Sequence, residues 1–243
     1  MVTIRLLLAH MIGDYALQTG EIARLKAKGW QGLFVHFCIV TAASGLLVAG
    51  KFPYWWAWTL LLGIIHILVD QYRTFRLKDL RPVLSLPYLL FDQGLHLITI
   101  FAIAGIGAGE SVQDVWLSLN GMPREDDLWC VLTIFAIILI WTTAVLEMSV
   151  LRTFHRPYRI SPPVNIEPLD RLLGAGERLV GTALLLTPYP FLYPLAFIPR
   201  LYWGLRHSPE RLPPSVYGTR AAISAFVALG VGLLLRRMRI EIL

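Results

Sequence analysis

The chain has 243 residues, 56% hydrophobic and 16% charged, with a formal net charge of +6 and a mean hydropathy of +0.61. It is more apolar and less charged than an ordinary soluble domain, which sets that class aside and points to an all-α, polytopic transmembrane helical bundle. The positive balance does not imply a nucleic-acid partner: the basic residues flank apolar segments, and no basic stripe with interleaved aromatics lies on a soluble domain.

In chain order, the opening MVTIRLLLAHMIGDYALQTG holds an apolar helix over 3–18 that crosses a membrane only with its polar residues included. His10 and Asp14 interrupt the apolar run and no A-x-A follows, so the segment reads as a retained helix rather than a cleaved signal. Apolar stretches at about 31–50, 54–73, 84–107, 128–151 and 218–235 each approach the ~20 residues of helix that a hydrocarbon core requires. The segment LVGTALLLTPYPFLYPLAFIPRLYW carries Pro188, Pro190 and Pro194, which predict two short helices or a re-entrant hairpin, because proline removes a backbone donor. The expected total is seven or eight membrane segments. Cys38 and Cys130 lie inside apolar segments and read as small hydrophobes, not a disulfide framework.

Three parts follow: a transmembrane bundle over 1–151, a basic, proline-rich loop over 152–170, and C-terminal membrane helices over 171–243. Arg24, Lys26 and Lys28 mark the first basic loop, Arg73, Arg76, Lys78 and Arg81 the second, and Arg152, Arg156, Arg159 and Arg171 the third. The positive-inside rule places these loops in the cytoplasm and the near-neutral Lys51 connection and acidic 109–127 connection outside, in what is expected to be a bacterial inner (plasma) membrane. The far end is contradictory. Arg200, Arg206, Arg211 and Arg220 draw one side of 218–235 inside, while Arg236, Arg237 and Arg239 draw the other side inside as well.

The chemistry-bearing pattern is a recurrence of histidine and aspartate four residues apart. HMIGD supplies His10 and Asp14, HILVD supplies His66 and Asp70, and DQGLH supplies Asp92 and His96. With eight aspartates and six histidines in the chain, random placement gives about 0.4 such pairs. A spacing of four puts both side chains on one helix face, and imidazole nitrogen with carboxylate oxygen is a donor set for Zn, Mn or Fe. At 1.5 Å per residue the pairs lie roughly 5–15 Å from the inferred cytoplasmic side, with His36 in the same layer. Ionisable groups at that depth are costly unless they share a polar interior. The order H-x-x-x-D, basic loop, histidine occurs twice, with His10 to His36 and His66 to His96 in corresponding places, which hints at two related hairpins.

Around these six candidate ligands, His36 is a further ligand or proton shuttle, and Gln18 and Gln93 orient ligands from behind. Lys26, Arg73, Arg76 and Lys78 lie where an anionic head group would be held. In DRLLGAGERLVG, Glu177 and Arg178 read as a structural, charge-neutral pair, with Glu177 facing Arg171 or Arg178; Glu147 is paired with Arg152.

The run A-H-x-x-G-D-x-x-L-Q (Ala9, His10, Gly13, Asp14, Leu17, Gln18), H-x-x-x-D (His66, Asp70), D-Q-x-x-H (Asp92, Gln93, His96) and a later E-R-L (Glu177, Arg178, Leu179) resembles a bacterial family of multipass membrane proteins whose domain has no assigned function. Arg73 stands where that family is expected to place a lysine. A looser likeness, to small membrane-bound metal-dependent hydrolases with H-x-x-x-D pairs in apolar helices, implies a hydrolase.

Three functions stay open on these residues. The first is a metal-dependent hydrolase acting among membrane lipids on a lipid-linked or phosphorylated substrate. The second is a divalent-metal or proton-coupled transporter, and the third a non-catalytic scaffold with buried His–Asp hydrogen bonds.

Overall fold

A computed structural model describes residues 1–76, 82–119, 125–155, 168–207 and 213–238, and every secondary-structure element among them is helical. The helices are α1 (Val2–Met11), α2 (Gly20–Lys28), α3 (Trp30–Val48), α4 (Trp55–Arg76), α5 (Ser85–Ala108), α6 (Val112–Leu119), α7 (Glu125–Ile137), α8 (Thr143–Phe154), α9 (Pro168–Leu186), α10 (Ile198–His207) and α11 (Pro214–Arg237). Single π turns extend α1 over Ile12–Ala16 and join α7 to α8 over Ile138–Thr142. The three prolines of the expected hairpin end α9 and leave a 3-10 segment, Pro190–Phe197, before α10.

Four helical runs are long and apolar enough to cross a membrane: Trp30–Val48, Pro82–Ala108, Glu125–Phe154 and Pro214–Arg237. That count is lower than the seven or eight segments expected. The shortfall has local causes. Helix α1 has 10 residues before its π turn; α4 dilutes its apolar stretch with tryptophans, His66, Asp70 and Gln71; and α9 carries Asp170, Arg171, Glu177 and Arg178. Along the four runs large apolar side chains face outward, among them Leu46, Ile98, Ile106 and Phe226. The buried positions, by contrast, include His36, His96 and Glu147 on these runs, and His66, Asp70 and Arg178 on α4 and α9. An apolar exterior around a polar interior is the distribution a bilayer imposes, so the chain associates with a membrane.

The chain divides into two compact units. The first comprises Met1–Leu80, Pro87–Leu119 and Pro123–Ile137, and the second Arg81–Leu86, Asn120–Met122 and Ile138–Leu243. The division falls within the run Glu125–Phe154. The expected connecting loop at 152–170 lies largely outside the described residues.

In the first unit, Val2 and Leu6 of α1, Val48 and Phe52 at the end of α3, Leu62 of α4, and Ile100, Ile103 and Ala104 of α5 form one apolar cluster. Glu110 caps α1 there, accepting from the Val2 and Thr3 backbone N–H groups at 2.7 and 2.8 Å; a carboxylate at a helix N-terminus also complements the helix dipole. Helix α1 therefore runs away from this apolar end, α3 runs toward it, α4 away and α5 toward it. The histidines and aspartates of all four gather beyond it.

Close helix approach depends on three glycines. A Cβ on Gly13 would lie 2.7 Å from Val40 Cγ2, one on Gly63 would lie 2.1 Å from Thr41 Oγ1, and one on Gly32 would strike the Leu25 backbone at 2.1 Å. The tight α2–α3 corner turns at Gly29, whose φ of +149° suits glycine alone.

Candidate metal centre

Helix α1 delivers His10, and the π turn after it delivers Asp14. In this turn the Leu17 N–H donates to the Ile12 carbonyl at 2.8 Å, inserting one residue into the helical repeat. Together with Gly13 lying against Val40, the bulge brings the Asp14 carboxylate to face α3 and α4. Helix α3 supplies His36, α4 supplies His66 and Asp70, and α5 supplies Asp92 and His96. All are buried except Asp14, which is nearly so.

Four donor atoms form a tight quartet. His36 Nε2 lies 3.1 Å from Asp14 Oδ1, 3.1 Å from His66 Nε2 and 3.3 Å from Asp70 Oδ2. His66 Nε2 lies 3.2 Å from Asp14 Oδ1 and 3.4 Å from Asp70 Oδ2. Two imidazole Nε2 atoms so close, with a carboxylate oxygen on either side, make a high concentration of electron pairs in a buried place.

The other expected ligands surround this quartet. The His10 ring centroid is 5.7 Å from that of His66 and 5.0 Å from that of His96, and the His66 and His96 rings stack at 4.2 Å. His10 Nδ1 stands 3.8 Å from Asp14 Oδ2, beyond hydrogen-bond length, while its Nε2 pairs with Gln93 Oε1 at 3.1 Å. Gln93 Nε2 donates to Asp92 Oδ2 at 3.2 Å, so this amide links helix α1 to the Asp92–His96 face of α5. Three overlapping donor sets result: His10, Asp14 and His66; His36, His66 and Asp70; and Asp70, Asp92 and His96. On the apolar side a small cavity is lined by His10, Val40, Leu62, His66, His96, Thr99 and Ile100.

The structure places several residues differently from the sequence expectation. His36 stands in the centre of the quartet, and His10, a member of one of the three donor sets, has its Nε2 tied to Gln93. Lys26, expected to hold an anionic head group, is buried, with Nζ 2.5 Å from Asp70 Oδ2 and 3.1 Å from Gln18 Oε1. Gln18 therefore holds this lysine rather than a histidine. Arg73 and Arg76 fall in the closing turn of α4 with side chains outside the described set, and Lys78 lies outside the described residues altogether.

In the second unit the expected pairing of Glu177 with Arg171 or Arg178 is replaced by a larger network. Neighbouring helix residues point about 100° apart, so Glu177 and Arg178 reach different partners. Arg178 Nη1 donates to Glu147 Oε1 at 3.0 Å, and its Nε donates to the Leu139 carbonyl in the Ile138–Thr142 π turn. Arg200 donates to Glu147 Oε2 and to Glu177 Oε1, each at 2.8 Å, and to Asp170 Oδ1 at 3.0 Å. Arg220 pairs with Asp170, and the Ser224 hydroxyl donates to Glu147 Oε1 at 2.9 Å.

Three arginines thus meet three carboxylates, Glu147, Asp170 and Glu177, and the set is neutral. Sequence reasoning missed Arg200, Arg220, Asp170 and Ser224 and gave Glu147 the wrong partner. The available signal was Arg200 alone among apolar residues in AFIPRLYW, a charge that must find an acid when buried. Pairing of Arg200 and Arg220 also eases the contradiction at the far end, because half of the four arginines assigned to that side are neutralised inside the protein.

Residues 2–120, which hold every member of the His/Asp cluster, match a family described as "Protein of unknown function (DUF3307)". No curated protein and no solved structure matches the chain.

Proposed function

We propose that this chain is a membrane-embedded, metal-dependent hydrolase whose centre is the quartet Asp14, His36, His66 and Asp70. One observation carries the reading. Five of the six separations within the quartet fall between 3.1 and 3.4 Å. A tetrahedral ion with ligand bonds of 2.0–2.1 Å separates its ligands by about 3.3–3.4 Å. Two nitrogens and two oxygens suit Zn, with Mn or Fe as the other candidates. A divalent ion there supplies Lewis acidity and acidifies water toward neutral pH.

The protein's own residues then divide the remaining work. Gln93 fixes His10 through Nε2, so Nδ1 faces the centre as proton acceptor, while His36, expected as a further ligand or proton shuttle, takes the ligand role. Asp92 and His96 close the α5 side. Arg73, Arg76 and Lys78 are assigned an anionic head group at the cytoplasmic face of a bacterial inner membrane, which suits a lipid-linked or phosphorylated substrate. Helices α4 and α9, though too polar to be recognised by hydropathy, would cross as partners of the four apolar runs.

The apolar cluster at the far end of the first unit favours hydrolysis over transport, since an ion crossing the membrane would meet Leu6, Val48, Ile100 and Ile103. The test is metal content and turnover of the purified full-length protein. Expected are bound Zn, Mn or Fe and metal-dependent phosphate release from phosphorylated lipids, both lost in His66→Ala and Asp14→Asn. Absence of metal in wild type would sink the reading, and metal uptake by proteoliposomes without hydrolysis would replace it with transport.

A further inference from the structure

The quartet uses Asp14, His36, His66 and Asp70, which leaves Asp92 and His96 without a ligand role. Two buried atoms beside them are unexplained. Among the described residues, His96 Nε2 and Asp70 Oδ1 have no hydrogen-bond partner. Both residues are almost completely excluded from solvent, at 2% and 1% exposure, where an unmet polar atom is costly.

The His96 ring cannot easily turn away. It stacks on His66 at 4.2 Å with 23° between the planes, and its Nε2 stands 3.9 Å from Asp92 Oδ1. One atom each from Asp70, Asp92 and His96 can be chosen so that all lie within 4.8 Å of one another. His10, the other candidate for an outer position, has its Nε2 committed to Gln93.

We propose that Asp70, Asp92 and His96 form a second divalent-cation position, with Asp70 bridging it to the quartet through its two carboxylate oxygens. The inference rests on the metal reading of the quartet and goes beyond it by making the centre dinuclear. A carboxylate that offers Oδ2 to one ion and Oδ1 to another spans ions about 3.5–4 Å apart, the separation at which a pair acts on one phosphoryl group.

Charge makes the two positions unequal. The buried centre contains three carboxylates, Asp14, Asp70 and Asp92, and the Lys26 ammonium on Asp70. One divalent ion with Lys26 in place brings the sum to zero. A second raises it to +2, or to +1 if Lys26 withdraws, and an anionic phosphoryl substrate supplies the missing negative charge. Lys26 thus opposes the second ion in the resting protein, and the second position fills best together with an anion.

Chelator-treated full-length protein in detergent, titrated with Mn2+ and read by elemental analysis and electron paramagnetic resonance, tests this. Wild type is expected to take two Mn2+ in unequal steps, the second step producing the broadened signal of coupled ions. His96→Gln and Asp92→Asn are each expected to retain one Mn2+ with an uncoupled six-line spectrum. Lys26→Met is expected to tighten the second step at least about tenfold, because a unit charge a few ångströms away is removed from a poorly screened place. Wild type saturating at one Mn2+, or at two uncoupled ions, overturns the second position while the quartet stands. Wild type binding none overturns the quartet reading and this one with it.

Discussion

His66 shows how one side chain serves two purposes. Its Nε2 belongs to the quartet, and the face of its ring supports His96, so its position depends on helices α1, α3 and α5 at once. Gln93 acts more remotely, joining His10 to Asp92, and a residue of that kind orients the groups that bind. Gln93→Ala is therefore expected to weaken affinity at the second position, which Asp92 serves, by about 10–100-fold with little change in stability. A competitive chelator titration beside a melting curve checks both parts. Arg178 serves stability instead. Arg178→Ala leaves Glu147 with one fewer buried partner and strands the Leu139 carbonyl, for an expected loss of about 3–5 kcal/mol. Thermal unfolding in detergent reads it, and unchanged metal binding by the surviving folded protein would show that the network is separate in role from the metal centre. The residue types of the His/Asp centre were legible in the sequence because helical spacing puts i and i+4 on one face. Which histidine was central was not, because His36 has no aspartate in its own helix and meets Asp14 and Asp70 only across helices.

At the scale of elements, two π turns perform related tasks. The one over Ile12–Ala16 turns Asp14 toward its partners, and the one over Ile138–Thr142 releases main-chain carbonyls that Arg178 takes up. Neither was read from the sequence, since the extra residue becomes favourable only against a neighbour. Gly13 is the point where the first depends on packing. Gly13→Ala puts a Cβ at 2.7 Å from the stiff Val40 side chain, so α1 must move off α3. The expected cost is about 1–3 kcal/mol together with weaker metal binding, whereas Gly20→Ala, with open space around it, is expected to leave metal binding unchanged. Equal metal affinity in both variants would count against the bulge as the device that positions Asp14.

For the whole molecule, the distribution of exposed apolar side chains gives the prediction. Ile98 of α5 and Phe226 of α11 are 66% and 78% exposed within runs long enough to span a bilayer. Ile98→Lys and Phe226→Lys are each expected to disfavour insertion by about 2.5–3.5 kcal/mol, read as reduced membrane-integrated protein in a translocation assay. Unaltered insertion of both would mean that these faces do not meet lipid. The four apolar runs were legible from composition and length. The total of seven or eight segments was not, because the further stretches are short or carry ionisable residues, as α1, α4 and α9 do.

Composition and spacing by themselves determined that the chain is helical, membrane-associated and equipped with three His–Asp faces, because hydropathy and the 3.6-residue period are local properties. Tertiary structure alone decided that His36 and His66 close to 3.1–3.4 Å on each other and on Asp14 and Asp70, that Lys26 turns inward, and that Arg178, Arg200 and Arg220 share three carboxylates. The physical reason is that most of these partners lie on different helices, as with Asp14 and His36, 22 residues apart, or Glu147 and Arg200, 53 apart, and only helix packing sets the distance between side chains so separated.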